Sequence, residues 1–250
     1  MKPILFNTEM VKAILDGQKT VTRRVVNPQP MCYGKNTTIE PHNNDFFLSA
    51  ERRWLRCRIC GNDPEYSREG SNISHHWNSP YNLGDILYVR ETWAYGYVDT
   101  TDFECRCNEC FFEELKAGTE KDSFLMPRYF YRTENLDGLN VRWRPSIHMP
   151  KEAARIFLRV IDVRVERLQD ITYEGCKAEG FGGVIFEDDT EGLPAIAINR
   201  FSRLWDSTVP KHPNKFKSYK YYWKDNPWVW VIEFERISRE EAMSEETILR

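Results

Sequence analysis

Residues 156 to 168, IFLRVIDVRVERL, are long, β-branched and alternating. That period reads as a strand, and it is the longest strand candidate in the chain. NPWVWVIEFERI, from Asn226, reads as the final strand. Shorter candidates are PILF, TVTRRVV, GDILYVRETWAYGYV and FLMPRYFYR, the last weakened by Pro127. Helical patterns fall between them irregularly. Met10, Val11, Ile14 and Leu15 share one face behind an Asn7 or Thr8 cap, and Asp16-Gly17 supplies the stop. DITYEGCKAEG has Asp170 as cap and Gly180 as stop. PAIAINRFSRLWDS places Ile198, Phe201, Leu204 and Trp205 on one face. RPSIHMPKEAA reads as a turn and a short helix, and SREEAMSEETILR as a charged helix with a Ser238/Glu241 capping box. Strands without a regular βαβ rhythm predict an α+β fold: a small, strongly curved sheet or β-barrel with flanking helices.

Two tracts, about 27–83 and 99–122, are turn-rich and polar and read as insertions. The expected organisation is one domain over 1–236, carrying those insertions, followed by a charged helical tail over 237–250. A net charge of −3 excludes a global basic field for nucleic acid, so any basic groove must be local. No apolar run is long enough to span a bilayer and the N-terminus lacks a long apolar core, so no membrane partner and a cytoplasmic location are expected.

The stretch Gly17-Gln-Lys-Thr-Val-Thr-Arg-Arg24 puts cations where a helix should stop and a strand begin. Strand alternation points Val21, Arg23 and Val25 one way, and Thr20, Thr22, Arg24 and Val26 the other. ILDGQKTVTRR, GDILYVRETW and FLRVIDVRVERLQDITYEGCKAEG, in that order, together resemble the ASCH domain, a PUA-like β-barrel family with a G-x-K-x-x-T-x-R signature. KPILFNT, RPSIHMP and NPWVWVIEFERI resemble segments of the longer ASCH proteins of phages and prophages, whose setting would be the bacterial host cytoplasm. The resemblance implies RNA or other nucleic-acid binding in general. One small bacterial member removes the acetyl group from N4-acetylcytidine, and likeness to it implies an amidohydrolase. Its catalytic lysine, threonine and glutamate fall on Lys19, Thr22 and Glu179, and the motif's arginine on Arg24.

Those residue types suit amide hydrolysis. A threonine hydroxyl attacks once a neighbour takes its proton. A lysine takes it only when neutral, which requires burial or nearby cations, and Arg23 and Arg24 are on the same strand. Glu179 would orient Lys19 or carry a proton to the leaving amine. The ordinary alternative is a solvated lysine after a helix, a threonine placed for β propensity and a surface glutamate.

In YVRETWAY, a continuous strand would put Val89, Glu91 and Trp93 on one face and Tyr88, Arg90 and Thr92 on the other. Arg90 or Glu91 with Trp93 can wall a pocket that reads a base edge and stacks on it; the alternative is a buried Trp with a surface ion pair. In RPSIHMP, Arg144 can meet phosphate, and His148 can donate to a ligand or close a turn.

Among seven cysteines, Cys57 and Cys60 form one C-x-x-C and Cys107 and Cys110 another, each in a turn-rich tract. Two such pairs supply the four thiolates of a structural zinc that would staple the insertions. Free thiols remain an alternative, as does a site in which Cys105, His75 or His76 replaces one sulfur; Cys32 and Cys176 stand apart.

Three readings emerge. The first is an amidohydrolase acting on an N4-acylated cytosine nucleoside or related modified base. The second is a non-catalytic PUA-like module that reads RNA or DNA, a modified base included, through Arg23, Arg24, Arg90, Arg144 and Lys151. The third is a phage accessory protein contacting other proteins. Metal analysis of the purified protein is expected to return about one zinc per chain; a metal-free protein would remove the four-thiolate site.

Overall fold

A computed structural model describes residues 1–27, 29, 46–48, 55–57, 65–68, 71–74, 79–99, 125–134, 142–181, 192–209 and 221–248. In chain order the elements are β1 (Lys2–Leu5), α1 (Thr8–Leu15), β2 (Val21–Val25), β3 (Phe46–Leu48), β4 (Leu55–Cys57), β5 (Glu65–Arg68), β6 (Ser71–Ser74), β7 (Ile86–Arg90), β8 (Trp93–Asp99), β9 (Leu125–Tyr131), β10 (Phe157–Arg167), α2 (Tyr173–Ala178), α3 (Leu193–Thr208), β11 (Trp228–Ile237) and α4 (Arg239–Ile248). Among the described residues no helix is long and apolar enough to cross a membrane.

The fold is mixed α and β. Its main sheet has five strands in the order β1-β7-β10-β11-β2. The sheet is open, which corrects the expected barrel. Closure requires the two edge strands to pair across a fixed stagger, and β1 and β2 stand at opposite ends of the order. The segment expected as one strand over 84–98 breaks at Glu91–Thr92, and β8 leaves the main sheet to form a two-stranded ribbon with β9. Pro127 lies in that ribbon, opposite Tyr97. A ribbon strand has one side without a ladder partner, where a missing N–H costs nothing. Two further ribbons, β3-β4 and β5-β6, occupy part of the first polar tract.

The chain forms two compact units. The first contains Met1–Leu15, Ile86–Leu158 and Ile237–Arg250. Here β1 runs parallel to β7 with Ile4 opposite Val89. Its core gathers Ile86, Tyr88, Trp93, Tyr131, Met149 and Phe157. The charged tail joins that core: Ala242 of α4 is 0% exposed. The expected capping box starts this helix, with Glu241 N–H donating to Ser238 Oγ at 3.1 Å and Ser238 N–H to the Glu241 carboxylate at 2.8 Å. RPSIHMPKEAA forms two short 3₁₀ turns, Ser146–His148 and Lys151–Ala153.

The second unit contains Asp16–Asp85 and Arg159–Arg236. In it β2 pairs antiparallel with β11, Arg23 opposite Val231 and Thr22 opposite Ile232. The apolar cluster of Val21, Val229 and Val231 is covered by Leu168, Ile171 and Cys176 and by Phe201 and Trp205 of α3. Phe201 and Trp205 stand four apart on a helix, and Val229 and Val231 two apart on a strand. Each pair therefore presents one apolar face, and the two faces meet.

Short α2 is held at both ends. Its N-cap is Thr172, not the expected Asp170, which instead closes a 3₁₀ turn over Leu168–Asp170. Gly175 N–H donates to the Thr172 hydroxyl at 3.1 Å. At the far end Gly180 takes φ of 96°, while its N–H donates to Lys177 O at 2.8 Å and Phe181 N–H donates to Cys176 O at 3.0 Å. This paired closure ends helices on a left-handed residue, as glycine allows. It makes Glu179 the C-cap residue, with a fixed backbone. Replacing Thr172 with Ala is expected to lower unfolding free energy by about 1 kcal/mol, measured by urea denaturation.

Candidate functional site

The second unit holds a buried ionic cluster built around Lys19 and Glu179. Gly17, at φ of 73°, ends α1 and turns the chain toward β2. At the edge of β2, Lys19 forms an isolated antiparallel bridge with Glu179. Thr20 N–H donates to Ala178 O at 2.8 Å, and Phe234 N–H donates to Thr20 O at 2.9 Å. The backbone thus pins residues 160 positions apart in sequence before any side chain acts.

The Lys19 Nζ donates to Glu179 Oε2 at 2.5 Å, to Val21 O at 2.7 Å and to Glu179 O at 3.1 Å. The two side chains are 0% and 2% exposed. Glu179 sits at a helix C-terminus, where free carbonyls already make the potential negative. A carboxylate there needs cations, and Lys19 satisfies both its backbone and its side-chain oxygens. Arg23 supplies a second cation, with Nη1 3.3 Å from Glu179 Oε1 and Nη2 3.3 Å from Glu166 Oε2. Glu166 in turn accepts from Arg164 Nε at 2.5 Å, and Arg164 also pairs with Glu233 and Asp162.

Burial pushes the Lys19 ammonium below its ordinary value of 10.5. Glu179 opposes that shift, and Arg24 and Arg23 reinforce it. Arg24 is lowered mainly by burial, against the pull of Tyr81 and Glu179. Burial lifts the neighbouring Cys176 thiol to about 11, so it is a packed, unreactive sulfur at neutral pH.

The β2–β11 register places Val21, Arg23 and Val25 on the face that carries Val229 and Val231. Thr22, 3% exposed, lies with Arg24 on the opposite face. The structure therefore joins Lys19, Glu179 and Arg23 in direct contact, while Thr22 is buried on the same strand facing the other way. Glu166 and Arg164 were not among the residues expected from the sequence. Their signal was the even-numbered run Asp162, Arg164, Glu166 on β10, which looks like an ordinary solvated face.

The other expected binding residues lie in the first unit. Glu91 is 1% exposed, and Arg155 grips both its oxygens, Nε to Oε1 at 3.0 Å and Nη2 to Oε2 at 3.1 Å. Arg155 also reaches Glu134 Oε1 at 3.2 Å and lies 3.8 Å from the Tyr131 ring centroid. Trp93 is 5% exposed, its ring lies under Arg144 at 5.0 Å, and its indole N–H is buried without an acceptor among the described residues. Arg90 donates to Ile147 O at 3.2 Å. Arg144 and His148 are exposed.

Of the expected zinc ligands, Cys57 ends β4, and Cys60, Cys107 and Cys110 lie outside the described residues, as do Cys105, His75 and His76. Among the described residues no group of three or more His, Cys, Asp or Glu is placed to hold a metal.

Removing the Glu179 charge, by Glu179→Gln, leaves Lys19 and Arg23 buried against fewer negative charges. It is expected to cost about 3–5 kcal/mol in urea denaturation, and Lys19→Met combined with it less than the two single costs added. Comparison with protein-family models, curated proteins and solved structures yields no match.

Proposed function

We propose that the second unit carries an ASCH-type amidohydrolase site acting on an N4-acylated cytosine nucleoside or a related modified base. The observation that supports it is the solvent-excluded Lys19–Glu179 pair, 2.5 Å apart. A lysine serves as a base only when its amine is neutral, and a dry site beside two arginines favours the neutral amine. In this reading Lys19 takes the proton of the Thr22 hydroxyl, which faces the other side of β2, through one bridging water as the Thr22 oxygen bonds to the acyl carbon. The C–N bond then breaks, and Glu179 passes the proton to the departing N4 amine. Water hydrolyses the acyl-threonine ester, releasing the acid and restoring Thr22. Arg24, on Thr22's face of β2, supplies positive charge for the carbonyl oxygen.

A second reading is favoured by a specific observation. All three Nζ donors of Lys19 have acceptors within the chain. The cluster is then a lock joining the end of α2 to β2, and the protein is a non-catalytic module binding RNA or DNA. Turnover and salt dependence separate the two. Under the first reading, purified protein releases acetate from N4-acetylcytidine, Lys19→Ala lowers kcat by about 10²–10⁴-fold, and Thr22→Val does likewise. The rate climbs with pH through an apparent pKa below 10.5, because the protonated amine is inactive. Absent turnover, with RNA affinity falling steeply as salt rises, would establish the second reading instead.

A further inference from the structure

We infer that Arg23 is a positioning residue, a buried fork held between Glu166 and Gly175 that fixes the Glu179 carboxylate so that its Oε2 faces Lys19. The inference deepens the amidohydrolase reading and rests on it for its kinetic part only.

Arg23 was expected among the substrate-binding residues. Its side chain is 3% exposed, and both terminal nitrogens are engaged by carboxylates on different elements, Glu179 after α2 and Glu166 on β10. A planar guanidinium can meet two carboxylates at once; a lysine ammonium, with one nitrogen, cannot reproduce that span. The far carboxylate is itself anchored, since Arg164 holds the other oxygen of Glu166. The helix side is shaped for the fork: a Cβ on Gly175 would stand 3.2 Å from Arg23 Nη2 and 3.0 Å from Ile171 Cγ1. The Arg23 Nε is buried without an acceptor among the described residues, so the two outer contacts set this placement.

The consequence falls on Glu179. With Oε1 directed to Arg23 and Oε2 to Lys19, the carboxyl group cannot rotate without losing one partner. Arg23 therefore governs how the proton-carrying pair is aligned without touching the reacting atoms. Among the described residues, the other charged or titratable groups around the pair include Arg24 on β2, Cys176 on α2 and Glu166 on β10.

The test compares Arg23→Lys, Arg23→Gln and Glu166→Gln with wild type. N4-acetylcytidine kinetics are measured alongside an NMR titration of the Lys19 amine, assigned with Lys19→Met. Arg23→Lys is expected to lower kcat about 10²-fold, with KM changed less than about twofold, as misalignment without lost binding requires. Arg23→Gln removes a cation and shifts the Lys19 titration upward, toward its ordinary value. Glu166→Gln, which keeps Arg23 but frees one end, lowers kcat about 10-fold and covers the case in which Arg23→Gln does not fold. A raised KM at unchanged kcat makes Arg23 a substrate contact and overturns the inference, as does wild-type kinetics in Arg23→Lys. If wild type shows no turnover, the enzymatic reading fails, and the titration decides alone: a Lys19 amine indifferent to Arg23→Gln overturns the placement.

Discussion

A buried ammonium at the edge of a β-strand is the constraint on which the second unit turns. Taking Lys19 out of water costs several kcal/mol on the scale typical of buried ions, and one carboxylate seldom repays that by charge alone. Here repayment is spread over three acceptors, two of them backbone or side-chain oxygens of Glu179 and the third Val21 O. Those acceptors exist because the end of α2 is a fixed object, closed by Gly180 and stapled to β2 through Thr20 and Ala178. The helix terminus needs positive charge, and the strand edge supplies it. Each element is stable beside the other for the same electrostatic reason.

The first unit solves a similar problem in a different way. Glu91 is as buried as Glu179, yet a single arginine chelates it. Arg155 also rests on the Tyr131 ring, whose phenol is pushed up to about 12 by burial and donates to Ala153 O at 2.6 Å. This arrangement is saturated: the planar fork matches both carboxylate oxygens, and Thr133 adds a hydroxyl at 3.3 Å. It ties β7, the β9 turn and the start of β10 together. Glu91 and Trp93, expected as a pocket wall, are 1% and 5% exposed.

Local pattern made most elements legible. The alternating run over 156–168 is β10, the α4 capping box forms as written, and Gly17 and Gly180 stop their helices as expected, both at positive φ. Non-local geometry was not legible. The break at Glu91–Thr92 has no turn residue to announce it, and it diverts β8 into a ribbon, so the sheet stays open. The cap on α2 shifted two residues because Thr172, not Asp170, is followed by helical backbone. Lys19 and Glu179 were paired only through family resemblance; nothing in spacing joins residues so far apart. Arg23 was legible as a strand cation but not as a clamp, because its partners come from β10 and α2.

Charge accounting around Lys19 makes the final step. The ammonium faces one carboxylate, Glu179, and two guanidiniums, Arg23 and Arg24. A further carboxylate, Glu166, is shared between Arg23 and Arg164. Repulsion from the arginines therefore adds to burial, in a site that water does not screen. Arginine holds its proton at any physiological pH, so relief from within this group falls to the lysine. Under the amidohydrolase proposal, discharge of Lys19 would leave Glu179 balanced by Arg23. Of the three cations gathered here only Lys19 can discharge, so the stability of this corner and any acid–base role under the amidohydrolase proposal depend on the same amine.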